Sequence, residues 1–209
     1  MKAIALPLGA WFVGARIAAA QEAASAQPPS PDLVDQLNRV LDARPVNGAF
    51  LFARGDRVLL SAARGRDPRR TLAADTPFPI ASVSKQFTAA AFLKLCESGR
   101  LAVTDPVSKV FPEAPADKRD VTFHQLLTHT AGFPPNAWEP EMLIDRERAR
   151  AAIMALPLIS PPAYQYGNAD YMLVALAIER LSGRTLDDEL KRQFFDPLGM
   201  TSTGFPGAG

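Results

Sequence analysis

The 209-residue sequence has one cysteine, two histidines and no basic cluster long enough to grip a polyanion. The single cysteine, Cys96, excludes an internal disulfide, and no cysteine near the N-terminus could take a lipid. Cys96 is expected as a buried helix residue. The two histidines, His124 and His129, are five residues apart, so on a helix they would face directions about 140° apart. That spacing does not make a metal pair, and no metal or cofactor is implied. A net charge of +1 gives no reason to expect nucleic acid as a partner. Long apolar runs are also missing. The stretch from Ala3 to Ala15 is thirteen residues, short of the roughly 20 a membrane helix needs.

That stretch instead reads as the core of an export signal. Lys2 precedes it, Arg16 closes it, and small-residue sites follow at Ala18–Ala20 and Ala24–Ala26. Residues 1–26 are expected to be a signal peptide cleaved after residue 20 or 26, leaving residues 27–209 as an exported domain or a large piece of one, periplasmic or secreted. An apolar content of 47% and a charged content of 22% suit an ordinary globular core.

Behind the linker "QPPSP", helical spacing of Leu33, Val34, Leu37, Val40 and Leu41 predicts a helix over Asp32–Ala43. "GAFLFA" (Gly48–Ala53) and "VLLSAA" (Val58–Ala63) flank the turn "RGDR" and predict a hairpin. Both strands are apolar at nearly every position, which predicts burial on both faces. From there the chain reads as helices. One lies within Pro77–Leu101 and ends at Gly99. A short helix, "FHQLLTH", opens on a capping box at Thr122 and Gln125. Further helices run over Arg146–Ala155, over Ala169–Ser182 with Asn168 as a candidate cap, and from Thr185 to about Phe195. Helix, two strands, then helices is an α+β order.

Chemistry enters at "PFPIASVSKQFTAAAFLKLCESGRL". Ser82 and Lys85 lie three apart, on one face of a helix. A serine hydroxyl is a poor nucleophile until its proton is taken. A lysine whose pKa is lowered by burial is neutral part of the time and can take it. At a helix start, Ser82 would also aim backbone N–H groups at a developing oxyanion. Alone the pair is weak. Ten serines and six lysines yield about 0.3 such spacings by chance, and a lysine can simply run its stem along the core. "YGN" is rarer. It sets Tyr166, a possible proton relay, two residues from Asn168, whose amide can orient a substrate or merely cap a helix.

Taken in order, "TPFPIASVSKQFTAAAFLKLCESGRLAVTDPVSKVFPE", "VTFHQLLTHTAGF", "YGNADYMLVALAIERLSG" and "FFDPLGMTSTGF" resemble blocks of the serine β-lactamase-related family. That family includes class C β-lactamases, D-alanyl-D-alanine carboxypeptidases and similar serine esterases. The resemblance implies a β-lactamase/transpeptidase-like α+β fold with Ser82 as the acylated nucleophile and Lys85 as its activating partner. Tyr166 would shuttle protons and Asn168 would contact the substrate. Gln86 follows the lysine, as is frequent in the family, and takes no role. The "LLTHTAG" block is similar to a structural turn beside the active site, with His129 a hydrogen-bonding element rather than a catalyst. The implied partner is a small molecule or peptide bearing an acyl group; the oligomeric state is left open.

The family's third element, Lys-Thr-Gly or His-x-Gly on a late strand, is absent from the sequence. The resemblance therefore implies an N-terminal portion without the last strands of the antiparallel sheet. On that reading the hairpin lacks neighbours, and the chain alone is expected to be poorly stable or to aggregate through its open edge. The alternative to a serine hydrolase is a catalytically inactive fragment or a binding module of the same fold.

Overall fold

The computed structural model describes residues 31–65, 71–135, 145–159 and 163–205. The expected signal peptide and all of the linker but Pro31 lie outside the described residues, as do residues 66–70, 136–144, 160–162 and 206–209. The chain divides into two compact units, residues 1–78 and 79–209.

In the first unit, helix α1 (Pro31–Asp42) lies within one residue of its expected limits and packs against strand β2. Arg64 at the end of β2 ties the two together. Its Nε donates to Asp42 Oδ1 at 2.6 Å and its Nη2 to Asn38 Oδ1 at 2.9 Å. Strands β1 (Gly48–Arg54) and β2 (Arg57–Arg64) pair antiparallel across Gly55-Asp56. Gly55 takes φ +56°, a conformation glycine adopts without steric cost. Phe52 pairs with Leu60 but Ala53 with Val58, so Leu59 is a bulge. The expectation of burial on both faces fails here. Phe50, Phe52, Leu60 and Ala62 are half-buried on one face, while Leu51 and Val58 on the other are 66% and 54% exposed. Among the described residues the sheet has two strands, too few to cover both faces.

The second unit is helical. A 3-10 turn over Ala81–Ser84 leads into α2 (Lys85–Glu97), and Gly99 closes that segment at φ +75°. The short α3 (Phe123–Leu127) opens on the predicted capping box. Gln125 N–H donates to Thr122 Oγ1 at 3.2 Å, and Thr122 N–H to Gln125 Oε1 at 2.9 Å. Helix α4 (Arg146–Ala155) is capped by Asp145, and α5 (Asn168–Ser182) ends at Gly183 with φ +71°. Thr185 caps α6 (Leu186–Leu190), after which Lys191–Phe195 widens into a π turn where a continued helix was expected.

Helix α5 is the hub: α2, α3, α4 and α6 all pack on it. Its Ala169, Leu173, Val174, Ala177 and Ile178 are buried, so it is apolar nearly all round, as a central helix must be. Phe92 of α2 and Phe123 of α3 stack at 4.8 Å between ring centres beside it. Glu113 clamps α4 to α5 by accepting from Arg150 at 2.9 Å and Arg180 at 2.6 Å. Cys96 is half-buried against this core rather than fully buried, and burial raises its thiol pKa.

Candidate active site

Ser82 is the second residue of the 3-10 turn, one short turn ahead of the α-helix proper. Three bonds close that turn. Val83 N–H donates to Ile80 O at 3.0 Å, Ser84 Oγ to Ala81 O at 2.7 Å, and Lys85 N–H to Ser82 O. The geometry forces Ala81 to φ +45°. For a residue with a Cβ this costs about 1–2 kcal/mol, a strain of the kind that gathers at functional sites.

Lys85 opens α2, and its side chain links two separate stretches of chain. Nζ donates to Ser82 Oγ at 3.1 Å and to Asn168 Oδ1 at 2.8 Å. It also lies 5.0 Å from the Tyr166 ring centre and 5.7 Å from that of Tyr171. The ammonium is half-buried and held by these contacts, which gives the lysine at the head of an apolar helix a physical reason. Hydrogen bonding with Ser82, then with Lys85, holds the Tyr166 phenol below its ordinary pKa. Ser82 is exposed and Tyr166 is 45% exposed, so a carbonyl compound can reach both.

Asn168 is not the helix cap. Gly167 occupies the cap position, and Asn168 is the first helical residue. Its amide is thus released from capping, and its oxygen accepts from Lys85. The four residues singled out by sequence, Ser82, Lys85, Tyr166 and Asn168, meet in one cluster.

His124 is exposed, whereas His129 is buried. His129 ends α3 in a Schellman motif, with its own N–H donating to Leu126 O at 3.2 Å and Thr130 N–H to Gln125 O at 2.8 Å. The motif demands a left-handed residue, and His129 supplies it at φ +56° where glycine is usual. Its ring is surrounded by every tyrosine of the chain: Tyr166 at 4.6 Å, Tyr171 at 5.1 Å and Tyr164 at 6.2 Å between ring centres.

The residue that sequence reasoning missed is Asp170. It lies on α5 one turn from the cluster, is 1% exposed, and its Oδ2 is 3.0 Å from His129 Nδ1. Burial drives its carboxyl pKa up to about 6, against the smaller opposing pull of the His129 hydrogen bond and the more distant Lys85 charge. The signal was an aspartate in the first turn of an otherwise apolar helix, directly after "YGN". Tyr171 was also missed; its hydroxyl donates to Leu127 O at 3.2 Å and fixes α5 to the end of α3.

Residues 33–209 match the Beta-lactamase family model. The chain is 31% identical over 170 residues to penicillin-binding protein 4* of Bacillus subtilis (strain 168), which covers 75% of this chain and 37% of that protein. A penicillin-binding protein from Bacillus halodurans superposes with a TM-score of 0.67 at 28% identity, over 81% of this chain and 57% of the other. A D-stereospecific amidohydrolase from Streptomyces sp. superposes with a TM-score of 0.51 at 28% identity, over 59% of this chain and 43% of the other. The chain thus spans about two-fifths or less of the curated relatives it matches, 34–41% of their length. With a match over nearly all of its described length and the same α+β fold in its solved neighbours, the chain belongs to the β-lactamase family of serine hydrolase-like proteins.

Proposed function

We propose that this chain carries the nucleophilic half of an exported serine hydrolase that works through an acyl-enzyme, with Ser82 as the acylated residue. One observation carries the proposal. Lys85 Nζ sits within hydrogen-bond reach of both Ser82 Oγ and Asn168 Oδ1, on a strained turn that holds the hydroxyl in the open. Ser82 Oγ attacks the substrate carbonyl while its proton passes to the Tyr166 phenolate, which the neighbouring Lys85 ammonium stabilises. Collapse of the tetrahedral intermediate breaks the bond to the leaving group, which takes the proton back through Tyr166. Water then attacks the acyl-serine along the reverse proton route and frees the acid and the hydroxyl. The lowered pKa of Tyr166 suits the relay, because the phenolate that takes the serine proton forms more easily and later gives the proton to the leaving group. Asn168 orients the substrate while it steadies Lys85.

For substrate class, an ester or the amide of a D-amino acid is favoured over a β-lactam. The likeness to a D-stereospecific amidohydrolase supports the amide. A second reading is a non-catalytic module of the same fold. Turnover of an activated ester, a D-alanyl amide and a cephem separates the two. Ser82→Ala should abolish any turnover, and Lys85→Ala should lower it by about 100-fold or more. Turnover that survives Ser82→Ala intact would overturn the proposal.

A further inference from the structure

His129 and Asp170 take no part in the chemistry above, yet they lie directly beneath it. His129 holds the segment that carries Tyr166 and Asn168 at two points. Its carbonyl accepts from Gln165 N–H at 2.8 Å, and its Nδ1 lies 3.5 Å from Gly167 N–H as an acceptor. The same Nδ1 is 3.0 Å from Asp170 Oδ2. A Cβ on Gly167 would stand 3.6 Å from that carboxylate oxygen, so Asp170 packs against the segment as well.

One ring nitrogen cannot satisfy both neighbours in one protonation state. Gly167 N–H can only donate, so its bond requires a lone pair on Nδ1. An ionised Asp170 can only accept, so its bond requires a proton there. A protonated Asp170 can donate, which leaves Nδ1 an acceptor facing both groups. Among the described residues, Asp170 Oδ1 has no hydrogen-bond partner. This carboxyl is therefore costly to keep for packing alone.

We infer that Asp170 is a positioning residue: acting through His129, it sets whether Nδ1 donates to it or accepts from Gly167, and so how the Tyr166–Asn168 segment is held against Lys85 and Ser82. The inference rests on the acyl-transfer reading of the site. The charged and titratable groups facing the couple are Lys85 from α2, Tyr164 and Tyr166 from the segment before α5, and Tyr171 on α5 itself. Burial keeps the Asp170 proton to about pH 6, so the change falls in an accessible range.

Asp170→Asn isolates the effect, because the amide mimics the protonated carboxyl at every pH. Two measurements on the protein and this variant test the inference. The first is the rate of Ser82 labelling by a fluorophosphonate between pH 5 and 8. The ratio of variant to wild type should lie near one below pH ~5.5 and depart from it by about threefold or more above pH ~6.5. With rates taken per folded molecule, a purely structural role would leave the ratio constant with pH, and that outcome would overturn the inference. The second is histidine 15N NMR, simple to assign with two histidines in the chain. At pH 8 the wild type should carry its His129 proton on Nδ1 and the variant on Nε2. The same tautomer in both would overturn the inference even if Ser82 never labels. Absence of labelling in the wild type, with the tautomer exchange present, would instead sink the acyl-transfer reading and leave the couple standing.

Discussion

At the scale of single residues, Asp170 is where stability and site chemistry pull in opposite directions. Its pKa rises from the ordinary carboxylate value of 3.8 to about 6 because burial penalises the charge more than His129 and Lys85 relieve it. The folded protein thus holds a proton that the unfolded chain has already released. The stability this group contributes is present below about pH 4 and is lost as pH climbs through about 6. Asp170→Asn never ionises, so it should match the wild type below pH 4. At pH 7.5 it should be more stable, on the order of 2–3 kcal/mol. Urea unfolding at the two pH values checks this, and a variant less stable than wild type at pH 7.5 would contradict it. A group that costs stability at neutral pH and lies under Tyr166 and Asn168 fits a functional site better than a packing site.

At the scale of elements, what places Ser82 is a 3-10 turn that owes its shape to one unfavourable residue. Ala81 is exposed, so a substitution there tests the backbone and not a packed side chain. Surface changes away from special features usually stay within about 0.5 kcal/mol. Ala81→Val should instead cost about 1–2 kcal/mol, because a β-branched residue at φ +45° is strongly disfavoured. Urea midpoints of the two proteins measure it, and an unchanged midpoint would remove the strain from the account. The elements themselves were largely legible in the sequence. The Thr122/Gln125 box, the Gly99 and Gly183 stops and the period of α1 are local signals, and the structure follows them. The two strained residues were not legible, since nothing in "IASVS" or "LTHTA" marks an alanine or a histidine for positive φ. Asn168 was read as a cap because cap and first helical position favour overlapping residue types. The extended backbone of Gly167 distinguishes them, and it leaves the Asn168 amide free to meet Lys85.

At the scale of the whole molecule, chain order and spatial order part company. Ser82 and Lys85 were legible as a pair because a helix brings i and i+3 together. Their meeting with Asn168, 83 residues on from Lys85, follows only from α5 packing against α2. His129 and Asp170 are 41 residues apart, and no local pattern joins them. The hairpin shows the converse limit. Its apolar strands were read as covered on both faces, but Leu51 and Val58 lie open, since burial depends on which other strands are present. The central claim, that Lys85 and its neighbours make Ser82 a nucleophile, is tested most directly by intact mass after exposure to a fluorophosphonate, with Ser82→Ala in parallel. The account predicts a single adduct on the wild type and none on the variant. A folded wild-type chain that takes up no adduct, or a variant that still takes one, would contradict it.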